Sequence, residues 1–258
     1  VKNFNKGKED KDKFKGIYGV ELNVVNDDAD VVFNVNEHKY DLLKDEFVVF
    51  DTETTGLYVG NDQMIEIGAV KIKNGEITDR FDELINPGRA LPAKITELTN
   101  ITDDMLKDKD TEENVTRRFL TWAGDNPMVA HNAKFDIGFI SMACKKYNLP
   151  EFKTTVADTM GIARMLYPDW SNHKLSTLVK KLNVEWNEDE HHRADYDAEG
   201  TAKCFYKMCK TLYDRNIETT KDIFESVNTE ELVKFSVPFH MNMIAQTKVG
   251  LKNMFKII

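Results

Sequence analysis

The stretch Phe47-Val48-Val49-Phe50-Asp51-Thr52-Glu53-Thr54-Thr55-Gly56-Leu57 constrains this chain more than any other. Four consecutive apolar residues, all β-branched or aromatic, run directly into two carboxylates. Such a run suits a central strand buried on both faces. Side chains alternate along a strand, so Asp51 and Glu53 project to the same side. Thr54-Thr55-Gly56 then breaks the pattern and the chain turns. Two acids side by side at the end of a buried strand repel each other, and at least one tends to stay protonated unless a cation lies between them. A bound metal, and with it chemistry, is expected here.

The flanking sequence reads as a sheet with helices around it. Met64 to Lys73 is a strand with Ile65, Ile67, Ala69 and Ile72 at its apolar positions. Asn74-Gly75, the strongest short hairpin signal, turns it into a third antiparallel strand from Ile77 to Ile85. Ile95 to Met105 contains short helical stretches. Thr111 caps a helix with Val115, Phe119 and Trp122 on its inner face. Met128-Val129-Ala130 is a short buried strand that delivers His131-Asn132-Ala133-Lys134-Phe135-Asp136. A helix with Phe139, Ile140 and Ala143 inward follows, so Asp136 lies near its N-terminus, where the dipole favours a carboxylate. Val156-Ala157-Asp158 ends another strand, and helical patterns run to Leu166 and from Leu175 to Leu182. After His191-His192-Arg193-Ala194-Asp195-Tyr196-Asp197, the residues Ala198, Ala202, Phe205, Met208 and Leu212 recur at helical spacing. Alternating strands and helices of this kind imply an α/β fold, a mixed sheet covered by helices.

The ends of the chain differ from this centre. Lys2 to Lys15 alternates Lys with acids and reads as a solvated linker or frayed helix. Ile17 to Val25 reads as a strand, Asp27-Asp28 as a turn and Val31 to Val35 as a returning strand. Tyr213 to Ile258 reads as mostly helical, with Met241, Ile244, Leu251, Phe255 and Ile258 in one apolar stripe. The chain starts at Val1 and stops within an apolar pattern, which suggests a piece of something longer.

Four acids stand out: Asp51, Glu53, Asp136 and Asp197, each at a strand end or a helix start. Carboxylates are hard oxygen donors suited to Mg²⁺ or Mn²⁺. Four of them can hold two such ions about 4 Å apart, the arrangement used for phosphodiester hydrolysis. His192, with an ordinary pKa of about 6.5, could take a proton from the attacking water; His191 is adjacent, and the spacing to Asp197 favours His192, with His191 expected to face solvent. A net charge of −9 argues against a protein that coats nucleic acid. It does not exclude an enzyme that meets phosphate through metal ions, because bound cations reverse the local field. Cys144, Cys204 and Cys209 form no CxxC pair and point to a reducing, cytoplasmic setting.

Asp51-Thr52-Glu53-Thr54-Thr55-Gly56, His131 to Asp136, and His192-Arg193-Ala194-Asp195-Tyr196-Asp197 together resemble the three exonuclease motifs of the DEDD superfamily, in its histidine-bearing branch. The resemblance runs from about Glu46 to Leu212, in order, and any one motif alone would be weak. It implies a ribonuclease H-like fold, 3′ to 5′ removal of nucleotides, Asp51, Glu53, Asp136 and Asp197 as metal ligands, and His192 as general base. Tyr18-Gly19-Val20-Glu21, Pro238-Phe239-His240 and Val249 to Phe255 resemble segments of the PHP domain of PolC-type replicative polymerases, which carry an exonuclease inserted in that domain. Gln246-Thr247 departs from the usual Lys-Asn there, and the upstream PHP histidine cluster is absent from this chain. The implied organisation is an exonuclease domain over 46–213 between small α+β flanks, 1–45 and 214–258. The implied partners are a single-stranded or frayed 3′ DNA end and the remainder of the polymerase chain.

The turn after the acids is expected to meet substrate. Backbone N–H groups of Thr52, Thr54, Thr55 and Gly56 beside two metals can approach a terminal nucleotide, glycine permitting close contact, and Leu57 can pack on the last base. Asn132 and Phe135 join them, although Phe135 also suits the core. Glu66 reads as a hairpin charge before it reads as a partner of the site, Asp158 as structural, and His131 as orienting the Asp136 loop. Competing functions are an RNA-processing exonuclease of the same superfamily and a non-catalytic module docked in a polymerase assembly.

Overall fold

The structure is a computed structural model, and it describes residues 6–9, 17–24, 31–35, 37–186, 193–228, 232–235 and 239–257. The chain divides into two compact units, one of residues 29–228 and one made from the two ends, 1–28 and 229–258. The larger takes in the 46–213 expected of the exonuclease domain together with Val31, Val32 and Leu42, all buried.

The larger unit is organised on a seven-stranded mixed sheet. Its strands are β2 (Val32–Phe33), β3 (Phe47–Thr54), β4 (Met64–Lys73), β5 (Glu76–Asn86), β6 (Asp110–Thr111), β7 (Met128–Ala130) and β8 (Val156–Asp158). They lie side by side in the order β2-β8-β7-β3-β4-β5-β6. β3, β4 and β5 form the expected antiparallel run, while β7 and β8 continue from β3 in parallel. Asn74 and Gly75 both take positive φ, 53° and 83°, as a two-residue hairpin turn requires. The helices are α1 (Ala93–Thr99), α2 (Asp103–Leu106), α3 (Glu112–Ala123), α4 (Lys134–Lys146), α5 (Thr159–Leu166), α6 (Leu175–Lys181), α7 (Ala194–Tyr213) and α8 (Thr220–Ser226). The hydroxyl of Thr111 accepts from Asn114 N and caps α3 as its position suggests. No described helix is long and apolar enough to cross a membrane.

Strand β3 explains the layering. Phe47 to Phe50 are all buried, and their side chains alternate between two helical layers. The Phe47 ring meets Phe205 of α7 at 5.1 Å, and the Phe50 ring meets Phe119 of α3 at 5.6 Å. The same alternation carries on past the apolar run. It turns Asp51 and Glu53 to the α7 side and Thr52 to the α4 side.

Two sequence expectations at the ends fail. Val32–Phe33 does not return along the first strand, β1 (Tyr18–Val24), but pairs antiparallel with β8, Val32 opposite Ala157. Val31 and Val32 are 2% exposed, whereas most of β1 is exposed; burial, not adjacency in sequence, chose the partner. β1 pairs instead with β9 (Phe239–Ala245), a strand inside the region read as helical. Met241 and Ile244 sit three apart and imitate a helical stripe, yet His240 and Asn242 alternate with apolar neighbours at the strand period. Met241 and Ile244 are both exposed in β9, at 44% and 65%. The helical part of the expectation holds for α9 (Lys248–Ile257), where Leu251 lies but Phe255 is 69% exposed. The turn at Asp27-Asp28, most of the Lys2 to Lys15 stretch, Pro238 and Ile258 lie outside the described residues.

Candidate active site

The site is assembled at the end of β3. In the β3–β4 ladder Asp51 stands opposite Gly68 and Glu53 opposite Glu66. All four therefore share the face on which α7 lies. A Cβ at Gly68 would collide with the backbone of Ala194 and Asp195, so glycine is what lets the start of α7 rest directly on the sheet. Glu66, fully buried, fastens that start. Its Oε1 accepts from Arg193 Nε at 2.9 Å and Nη2 at 2.5 Å, and its Oε2 accepts from Ala194 N at 2.9 Å. Asp197 follows one turn later and is 6% exposed. Oxygens of Asp51, Glu53 and Asp197 lie within 4.8 Å of one another.

Asp136 reaches the same strand end from the other layer. Pairing of β3 with β7 stops at Val49, which leaves the N–H of Thr52 for a side chain. Asp136 Oδ1 accepts from Thr52 N at 3.0 Å and from Thr52 Oγ1 at 2.6 Å. The turn that delivers Asp136 is held by Asp158, whose Oδ1 accepts from Asn132 N and Met160 N, both at 2.9 Å. Asn132 is exposed there with φ 65°, a conformation asparagine tolerates. His131 is half-buried, with Nδ1 2.9 Å from Thr159 Oγ1. Burial, and after it the charge of Arg164, lowers its pKa to about 4, so this imidazole is neutral at pH 7.

The electrostatics follow from packing acids together at a half-buried strand end. Burial raises Asp51 well above the ordinary carboxylate range, and the charges of Asp136, Glu53 and Asp197 add to it. Glu53 is pushed up to about 8 by burial and then by Glu66, Asp197 and Asp136, against a smaller downward pull from Arg193. Asp136 is raised to about 7 by burial, which outweighs the two hydrogen bonds from Thr52. Among the described residues no lysine or arginine forms an ion pair with Asp51 or Glu53. Convergent carboxylates that repel one another, with only oxygen donors, fit Mg²⁺ or Mn²⁺.

The expected substrate contacts divide into two groups. Leu57 is 76% exposed and Tyr58 beside it 74%, on a loop that leaves the end of β3. Thr54 and Thr55 are buried and their hydroxyls are committed to the loop itself. Thr54 Oγ1 donates to Gly56 O at 2.7 Å, and Thr55 Oγ1 donates to Asp62 Oδ1 at 3.1 Å while accepting from Arg89 Nη2 at 2.9 Å. A Cβ at Gly56 would run into the Asp62 carboxylate, so this glycine serves the packing of the loop. Phe135 is half-buried, its ring 5.0 Å from Phe139, against the α3–α4 core. His191 and His192 lie outside the described residues.

Glu66, Gly68 and Arg193 are the residues that sequence reasoning undervalued. The reading of Glu66 as a plain hairpin charge is corrected by its complete burial and its three hydrogen bonds. A signal was present: Glu66 and Gly68 alternate with Ile65 and Ile67 in one strand, and a glycine inside a strand marks close backbone approach.

Residues 48–205 match the exonuclease family model RNase T. The chain is similar to the PolC-type DNA polymerase III of Bacillus cereus, 44% identical over 244 residues that cover 95% of this chain and 17% of that protein. The Bacillus subtilis protein of the same description is also 44% identical, over 246 residues, with the same coverage. The chain thus spans about a sixth of the length of these curated relatives. Among solved structures it is similar to exonuclease X in complex with 5′ overhanging duplex DNA, at 32% identity and TM-score 0.52, over 64% of this chain and 92% of that one. The nuclease domain of 3′hExo, a DEDDh family member bound to rAMP, shares the fold at TM-score 0.58 and 20% identity, over 67% of this chain and 95% of that one. The mixed sheet covered by helices is the ribonuclease H-like arrangement of these nucleases.

Proposed function

We propose, from the premise that the chain belongs to the RNase T exonuclease family, that this exonuclease domain removes nucleoside monophosphates from DNA 3′ ends as the proofreading part of a PolC-type DNA polymerase III. The observation that carries this reading is the meeting of Asp51, Glu53 and Asp197 within 4.8 Å, on a strand end that Asp136 also reaches. When bound, two Mg²⁺ or Mn²⁺ ions would lower the pKa of water and stabilise the departing 3′ oxygen. Asp51, Glu53, Asp136 and Asp197 hold them in this reading, and Thr52 fixes the rotamer of Asp136. His192 takes the proton from the attacking water at one ring nitrogen. Leu57 packs on the terminal base, with Phe135 and Asn132 on the Asp136 side. Thr52, Thr54, Thr55 and Gly56 shape the turn; the expected approach of the Thr52 and Thr55 amides to a nucleotide does not hold, because they are taken by Asp136 Oδ1 and Gln63 O. Binding through sugar–phosphate and stacking gives little sequence preference.

The chain ends belong, in this reading, with the remainder of the polymerase, as pieces of its PHP domain. Support comes from the relatives, whose match covers 95% of this chain and so reaches beyond residues 46–213. A two-stranded sheet such as β1–β9 is marginal by itself, and Ile17, Tyr18, Ile244 and Val249 are exposed around it. Glu21 and His240 approach to 3.0 Å on this sheet, and both are exposed.

The test is release of mononucleotides from a 3′-mismatched primer–template in Mg²⁺, beside matched DNA and RNA oligonucleotides. Metal-dependent release from the mismatched DNA end is expected. Faster attack on RNA would move the assignment to RNA processing, and absence of any release would leave a docking module.

A further inference from the structure

We propose that Glu66 and Arg193 are positioning residues for the metal site: their pairing sets where α7 begins on the sheet, and so where Asp197 stands relative to Asp51 and Glu53. The proposal rests on the reading of those three acids as metal ligands.

Glu66 is an expensive residue to keep where it is. It is fully buried and stands directly opposite Glu53 in the β3–β4 ladder, so it adds a negative charge beside acids that already repel one another. An apolar residue would suit that strand position better on packing grounds. What the carboxylate does is hold the first residues of α7. One oxygen takes both Nε and Nη2 of Arg193, and the other takes the N–H of Ala194, an amide at the helix start with no partner inside the helix. Gly68, two residues along the same face, lets the backbone at Ala194–Asp195 sit against the strand. The strand thus controls both the height of α7 above the sheet, through Gly68, and its position along the sheet, through Glu66. Asp197 is three residues past Ala194. A slip of one residue would turn its side chain by roughly 100° around the helix axis and away from Asp51 and Glu53.

A residue that merely stabilises the fold should move the melting temperature alone. A positioning residue must also move metal affinity in molecules that remain folded. Loss of such partners typically weakens metal binding by about 10–100-fold. The experiment is Mn²⁺ titration by calorimetry on the full chain, with circular dichroism to confirm folding, for wild type, Glu66→Gln, Arg193→Gln and Arg193→Lys. Both glutamine variants are expected to bind Mn²⁺ at least about tenfold more weakly than wild type. Arg193→Lys, which keeps the charge and one donor, should recover part of that loss. The Arg193 side chain is 34% exposed, so Arg193→Gln carries the test if Glu66→Gln does not fold. Folded Arg193→Gln with Mn²⁺ affinity within twofold of wild type overturns the proposal and leaves the pair a structural tie. Absence of Mn²⁺ uptake by wild type itself would strike at the metal site rather than at this pair.

Discussion

Two groups of three acids lie next to each other on the α7 side of the sheet, and they are alike in composition. Asp51, Glu53 and Asp197 form one; Glu66, Asp82 and Asp195 form the other, and in each the oxygens lie within 4.8 Å. What separates them is compensation. The second group holds the Arg193 guanidinium and the Ala194 N–H among its oxygens. The first has neither on Asp51 or Glu53 among the described residues, and Glu53 rises to about 8 where Asp82 rises only to about 6. Acid clustering alone therefore does not mark a site. Acids such as Asp51 and Glu53, with which no described lysine or arginine forms an ion pair, do, because an external cation relieves the repulsion they raise in each other.

The comparison breaks most sharply at Asp51. Asp51→Ala, or EDTA on the wild type, is expected to bring nucleotide release to background. Charge stabilisation by bound metal is worth several kcal/mol, which corresponds to a loss of about 10³-fold or more. Gel assays on a labelled primer measure this directly, and a variant that kept a tenth of the wild-type rate would end the metal mechanism. His192→Ala should cost about 10²–10⁴-fold in turnover, the usual range for a general base. Calorimetry should find its Mn²⁺ uptake close to wild type.

A smaller effect concerns the metal-free protein. Glu53 and Asp136 have native pKa values of about 8 and 7, against ordinary values of 4.5 and 3.8. A group raised in the native state holds its proton more tightly there than in the unfolded chain. Its contribution is present below the ordinary value and is lost as pH rises through the native one. Without metal, stability should therefore fall between about pH 4 and pH 8, by an amount on the order of a few kcal/mol. Mn²⁺ binds the deprotonated acids, so it should restore stability most at the high end of that range. Urea melts at several pH values, with and without Mn²⁺, measure both trends. A metal-free protein with flat stability over this range would show that neither burial nor mutual repulsion raises these acids.

How much of this was visible in the sequence depends on how far apart the determining residues lie. β3, its acids, the Asn74-Gly75 turn and the helix starts at Thr111 and Asp136 are set by neighbours in the chain, and local pattern shows them. The part played by Glu66 depends on the β3–β4 register, which places it opposite Glu53, and on the landing point of a helix some 127 residues later. No local pattern encodes that. β9 was hidden for another reason: Met241 and Ile244 fit both periods, and its partner β1 is more than 200 residues away. Arg89, which ties Thr55 to the loop from beyond β5, was invisible in the same way.

The least disruptive substitution gives the most discriminating contrast. Asp82 is exposed, unlike Glu66, and it belongs to the compensated group. Asp82→Asn removes one charge of the three, while Arg193 still holds Glu66 through bonds that do not involve Asp82. Asp82 also lies within hydrogen-bonding reach of Glu66, a bond the Asn amide can donate in its place; the ties of Glu66 to Arg193 and Ala194 are kept, and repulsion on Glu66 falls. Surface changes of this kind usually stay within about 0.5 kcal/mol, or roughly two- to threefold in a rate. Nucleotide release and Mn²⁺ affinity should therefore both stay within about threefold of wild type. The same acid-to-amide change at Asp51 would abolish activity, although both acids sit in groups of equal size and spacing. A loss of tenfold or more at Asp82 would mean that the two groups act as one, with the charge around Arg193 tuned to the metal ions. The division between acids that Arg193 pairs and acids that no described cation pairs would then have to be abandoned.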